Sequence, residues 1–185
     1  MGASGATVLP KIGFAVRQND KPVDPFLRNE TTWTCKGEGR ILWSVSSLQE
    51  LDYRSVGIGR KGFSESVPEA HRIRAGLSIP EIRRKSPDSI VFWADIFGVK
   101  EDDVIYLRII DPTGNVLAEQ ETIAPTDYPV WLAYTGRHIK ASAITTGIYL
   151  GEIIVQRDNA KVISQFQEVE LVGDREPPTR AQIRY

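Results

Sequence analysis

From Ser89 to Leu171, apolar residues gather in short runs rich in β-branched and aromatic side chains, with turn chemistry between them. Ser89-Ile90-Val91-Phe92-Trp93-Ala94 opens this stretch. Val104-Ile105-Tyr106-Leu107-Arg108-Ile109-Ile110 follows the charged loop Lys100-Glu101-Asp102-Asp103. Asp111-Pro112-Thr113-Gly114-Asn115 reverses the chain again, and further runs cover Val130 to Thr135, Ile148 to Gln156 and Ala160 to Leu171. Such runs predict antiparallel strands of an immunoglobulin-like β-sandwich, with Arg157-Asp158-Asn159 as another hairpin loop. The fold class expected is mainly β.

The pattern upstream differs. Lys11 to Gln18 alternates, with Ile12, Phe14 and Val16 on one face, as a half-buried strand does. Asn19-Asp20 is a turn signal, and Pro22 and Pro25 forbid a central strand beyond it. Residues 29–40 are polar, with Gly37 and Gly39, and read as linker. A short helix is predicted over Ser46 to Leu51, capped through Ser46 with Gln49 or Ser47 with Glu50. Ser55 to Gly59 reads as a short strand. A second helix is predicted from Ser66 as N-cap, with Pro68 in its first turn and Gly76 as its stop. The expected organisation is therefore an N-terminal hairpin over residues 1–28, a linker with two short helices over 29–78, a sandwich over 79–173 and a loose tail over 174–185. A proteolytic fragment starting between residues 79 and 89 is expected to be stable.

Composition excludes some classes. The formal net charge of -1 gives no bulk attraction to nucleic acid or anionic membrane. Cys35 is the single cysteine, so no internal disulfide forms. No apolar run reaches the roughly 18 residues of a membrane helix. Met1-Gly2-Ala3-Ser4-Gly5 lacks the basic start and apolar core of a signal peptide, so no export route is expected if Met1 is the start.

Candidate chemistry is sparse. His71 and His138 have no partner at metal spacing, and a lone Cys35 builds no structural zinc site. No serine stands in a Gly-x-Ser-x-Gly elbow. Gly57-Ile58-Gly59-Arg60-Lys61-Gly62 carries the letters of a dinucleotide fingerprint without its strand–helix context, and reads as a glycine-containing loop. Trp93, Trp131, Tyr106 and Tyr134 fall in predicted strands and are expected in the core, with a sugar-stacking face as the functional alternative. Arg72, Arg74, Arg83, Arg84 and Lys85 form a basic cluster, read as a solvated linker ahead of a binding patch.

Two parts of the chain resemble one family. Gly2 to Phe26 is similar to the end of the catalytic domain of lysostaphin-type (LytM-like) zinc metallopeptidases, enzymes that cut peptidoglycan cross-links. That family segment runs glycine-rich loop, proline, His-x-His, aromatic, x-Val-Arg, turn, Val-Asp-Pro. Pro10, Phe14, Val16-Arg17, Asn19, Lys21 and Val23-Asp24-Pro25 follow the same order. Val91-Phe92-Trp93, Asp111 to Glu119 and Trp131 to Arg137 resemble the C-terminal extension of a proteobacterial branch.

The departures set the expected chemistry. His-x-His falls on Lys11-Ile12-Gly13, where Gly13 has no side chain and Lys11 is a cation. No His-x-x-x-Asp motif is present, since Ala75 follows His71 at that spacing and Ser142 follows His138. Catalytic zinc needs three protein ligands and an open position. The resemblance therefore implies a truncated, inactive relative of a peptidoglycan metalloendopeptidase, with residues 1–28 as the remnant of its last strands. No catalytic, metal or cofactor residue is assigned. The expected partners are peptidoglycan or an envelope protein, with self-association through the Lys11–Gln18 strand also open. The family implies a periplasmic location. The alternative is one half of a split zinc metallopeptidase completed by a partner chain.

Overall fold

A computed structural model describes residues 16–23, 43, 44, 46, 47 and 54–173. The chain divides into two compact units, Met1–Arg54 and Ser55–Tyr185.

In the first unit, β1 (Val16–Gln18) pairs antiparallel with β2 (Lys21–Val23). Asn19 and Asp20 turn between them at φ of 50° and 60°. Positive φ at both turn residues is the geometry that matches strand twist in a two-residue hairpin, and Asn and Asp tolerate it. Ser46 and Ser47 are helical. Ser47 N–H donates to Ser44 Oγ at 3.1 Å, so the helix cap is Ser44 rather than Ser46 or Ser47. The expected contacts of Lys11–Phe14, the linker glycines, the rest of the first helix, Cys35 and the tail lie outside the described residues.

The second unit is an antiparallel β-sandwich. One sheet has the order β3 (Gly57–Ser64), β4 (Ser89–Val99), β7 (Tyr128–His138). The other has the order β6 (Val116–Ile123), β5 (Val104–Ile110), β8 (Gly147–Arg157), β9 (Ala160–Leu171). Alternate residues face inward, as the strand period requires. Ile90, Phe92, Ala94 and Ile96 of β4 meet Ile105, Leu107 and Ile109 of β5 and Ile153 and Val155 of β8 in one core. Tight connections set the register. Asp158 and Asn159 turn β8 into β9 at φ of 51° and 63°. Asp111 Oδ1 accepts from the N–H groups of Thr113 and Asn115, an Asx-type turn between β5 and β6.

The sandwich takes in residues that the sequence places in the linker. β3 extends well past the expected Ser55–Gly59 segment, and Phe63 from it stacks on Phe92 with ring centroids 5.2 Å apart. β6 went unrecognised because its Glu119, Gln120 and Glu121 are exposed on an edge strand, where no apolar alternation is needed. The helix expected from Ser66 is shorter: α1 spans Ala70–Arg74 with Glu69 at its N-cap position. Ser66 lies outside it, with its carbonyl accepting from Ser64 Oγ at 2.6 Å. Gly76 ends the helical region at φ +71°, the left-handed turn expected of a stop glycine. Beyond α1, Arg84 and Ser86 exchange backbone hydrogen bonds with Val172, a short parallel bridge at the end of β9.

Candidate functional site

The residues singled out in the sequence are dispersed. His71 lies exposed on α1, 3.4 Å from Glu69. His138 is at the end of β7, opposite Ser89. No cluster of three or more His, Cys, Asp or Glu able to hold a metal occurs among the described residues. Lys11 and Gly13 lie outside them. Gly57–Gly62, read as a loop, is an antiparallel strand paired with Ile96, Phe97 and their neighbours on β4. Its glycines make room for rings: a Cβ at Gly57 would stand 2.5 Å from Phe97 Cζ, and one at Gly62 would stand 3.2 Å from Trp93 Cζ2.

The aromatics also divide. Trp131 is partly buried and meets Tyr128 edge-on at 4.5 Å. Tyr106 lies on the outer face of the four-stranded sheet, its hydroxyl donating to Glu119 at 2.6 Å. Tyr134 is 50% exposed, contrary to the core placement expected. Trp93 is buried, but on the outer side of its sheet, because Phe92 and Ala94 take the inward positions.

The basic cluster forms no single patch. Arg74 chelates buried Asp95 through Nε and Nη2, at 2.9 Å for the shorter contact with Oδ1. Arg83 donates to both oxygens of Glu65 at 2.7 Å and to Asp88 at 2.6 Å. That guanidinium lowers the Glu65 pKa to about 2 against the opposing effect of burial. Arg72 donates to the Ser78 carbonyl at 3.1 Å. Lys85 sits in the bridge to Val172.

The same logic holds at the far end of the sandwich. Asp103 is fully buried and receives Arg157 Nε at 2.8 Å and Nη2 at 2.7 Å, with the Lys100 N–H at 2.8 Å. Burial pushes the Asp103 pKa up, but these donors outweigh it and hold the carboxyl below its ordinary range. This is a staple joining the β4–β5 turn to the end of β8.

A cleft of about 390 Å³ opens where the edges of β3 and β9, unpaired among the described residues, approach each other. Arg60 to Phe63 form one wall and Gln167 to Glu170 the other, with Ile79, Glu81, Ile82 and Arg84 crossing between them and Trp93 in the lining. Lys61 Nζ spans from β3 to Gln165 Oε1 at 2.9 Å. Arg60 donates to the carbonyls of Ile73 and Leu77 at 3.3 and 3.4 Å. Trp93 is 4% exposed, and its Nε1 is buried without an acceptor among the described residues. Sequence reasoning missed this cleft, since only the tertiary approach of two edge strands creates it. The one available signal was the run Gln165-Phe166-Gln167-Glu168-Val169-Glu170, where polar residues occupy both faces of a strand.

No protein family and no curated protein matches this chain. Among solved structures, a glycosyl hydrolase family 2 member from Bacteroides cellulosilyticus DSM 14838 is similar at a TM-score of 0.38 and 11% identity, over 51% of this chain and 14% of that one. Another structure of a glycosyl hydrolase family 2 member from Bacteroides cellulosilyticus gives a TM-score of 0.36 and 8% identity, over 51% and 13% of the two chains.

Proposed function

We propose that this chain is a non-catalytic binding or regulatory module of the cell envelope, a relative of a peptidoglycan metalloendopeptidase. The envelope assignment rests on the resemblance of Gly2 to Phe26. The observation that carries the non-catalytic reading is the engagement of the sandwich's buried carboxylates. Asp95 and Asp103 are each chelated by one arginine, Arg74 and Arg157. Acid–base catalysis needs groups poised near the working pH and within reach of a substrate. A carboxylate held below its usual range and locked to a guanidinium, as Asp103 is, suits anchoring instead.

The test is co-sedimentation of the full chain with purified peptidoglycan sacculi. Pelleting with sacculi supports the proposal. A chain that stays in the supernatant, and that captures no envelope protein after crosslinking in cells, overturns it. The split-peptidase alternative predicts a tightly held zinc once a partner chain is present, whereas the module reading predicts none. Metal analysis of the purified protein, alone and in any complex recovered, separates the two.

A further inference from the structure

The end of β9 already accepts a strand. Arg84 and Ser86 pair in parallel with Val172, and the chain then leaves that edge. Upstream along β9 no strand among the described residues is paired on this side, and there the cleft begins. Lys61 and Gln165 close its other end. An unpaired edge exposes backbone donors and acceptors that a further strand satisfies.

The side chains beside this edge state what such a strand would carry. Glu168 and Glu170 pair with Leu150 and Ile148 on β8, which places them on the outer face, and both are exposed. Neither makes an ion pair among the described residues, while Lys61 and Arg60 across the cleft are already engaged and the crossing segment adds one charge of each sign, Glu81 and Arg84. Opposite charges facing each other across adjacent strands attract and like charges repel. Across the cleft, on the outer side of its own sheet, Trp93 has an indole N–H with no acceptor among the described residues, on the ring edge that lies over Gly62 in the cleft wall. A buried donor of this kind is costly until it meets a carbonyl.

We propose that the cleft is a docking site for a short extended peptide that adds to the free edge of β9, with basic side chains opposite Glu168 and Glu170 and a carbonyl oxygen for Trp93 Nε1–H. This goes beyond the envelope reading and does not depend on it. A chain that ignores sacculi but takes the peptide overturns only the envelope proposal, and the reverse result overturns only this one.

The experiment uses the full chain and two fluorescein-labelled peptides, Lys-Val-Lys-Val-Lys and Glu-Val-Glu-Val-Glu, followed by anisotropy at low salt. The lysine peptide is expected to bind about tenfold tighter or more. In the double variant E168K/E170K the preference is expected to invert. The Trp93 indole N–H resonance is expected to shift with the lysine peptide in the native chain. Because both glutamates are exposed, the variant is expected to keep its circular dichroism spectrum. Equal binding of the two peptides, binding of neither, a variant that keeps the native preference or an unmoved Trp93 resonance each overturns the proposal. Binding of neither peptide would mean that Glu168 and Glu170 only guard the edge against pairing.

Discussion

Phe92 lies against Gly151 across the sandwich: a Cβ added at Gly151 would stand 2.5 Å from Phe92 Cδ2. The pair joins β4 of one sheet to β8 of the other. In antibody domains these are the strands tied by the inter-sheet disulfide, and the second cysteine follows a corner tyrosine by two residues. Tyr149 occupies that tyrosine position here, with Gly151 two residues on. A ring resting on a bare backbone takes the place of a covalent tie.

The replacement has a measurable signature. Phe92→Ala is expected to cost about 3–5 kcal/mol, as for other fully buried phenylalanines. Gly151→Ala is expected to cost about 1–3 kcal/mol by overpacking against the ring. In the double variant the smaller residue at Phe92 relieves the clash, so the combined loss should fall short of the sum by at least about 0.5 kcal/mol. Urea unfolding of the three variants checks this, and strict additivity would show that the two residues are not coupled.

Tyr149 should behave as a corner residue in its own right. It is 3% exposed, and its hydroxyl accepts from the Thr145 N–H at 3.2 Å and donates to the Thr145 carbonyl at 3.1 Å. Tyr149→Phe keeps the ring and strands both backbone groups. The expected loss is about 1–3 kcal/mol, read as a lowered urea midpoint with an unchanged slope.

Acid should weaken the fold through two carboxylates. The folded-state pKa of Glu65 is depressed from an ordinary 4.5 to about 2, and that of Asp103 lies below its ordinary 3.8. A depressed carboxylate stabilises fully above its unfolded value, and that contribution is lost as pH falls toward the folded value. Stability should therefore decline between about pH 5 and pH 2. Glu65→Gln should flatten the upper part of that decline. Arg157→Met, which leaves Asp103 buried without its partner, should cost about 3–5 kcal/mol at neutral pH. Chemical unfolding across a pH series checks all three outcomes.

What the sequence discloses follows from where each residue's environment is decided. Val104–Ile110 and Ala160–Leu171 are read with the observed limits, because β-branched runs between turn residues carry their own signal. Central β4 and β8 differ from expectation only at their ends. β6 and the far half of β3 are edges, and their exposed Glu119, Glu121 and Arg60 mask the strand period. Trp93 reads as core by residue type, yet it sits outside its sheet, since only register with Phe92 fixes which face it takes. The cleft between β3 and β9 depends on two segments roughly a hundred residues apart, Lys61 and Gln165 being separated by 104 positions. No local pattern records such a juxtaposition.

The limits of the sandwich give the last prediction. The sequence placed its start near Ile79, but β3 pairs with β4 from Gly57 to Ser64 and the compact unit begins at Ser55. A fragment of residues 79–173 would leave β4 as an unpaired edge. It would also remove Phe63, which is 7% exposed and stacked on Phe92, and Val56 from the core. Uncovering Phe92 loses about 25 cal/mol for each Å² of apolar surface returned to water, on top of the missing strand contacts. A central strand turned into an open edge, with its rings bared, is also a template for aggregation. A fragment of residues 55–173 is therefore expected to unfold cooperatively and remain soluble, whereas 79–173 is expected to aggregate or to lack a cooperative transition. Limited proteolysis of the full chain should yield a resistant product starting near Ser55. A resistant product starting between residues 79 and 89, with a sharp unfolding transition of its own, would show that β3 is an accessory strand and not part of the folding unit.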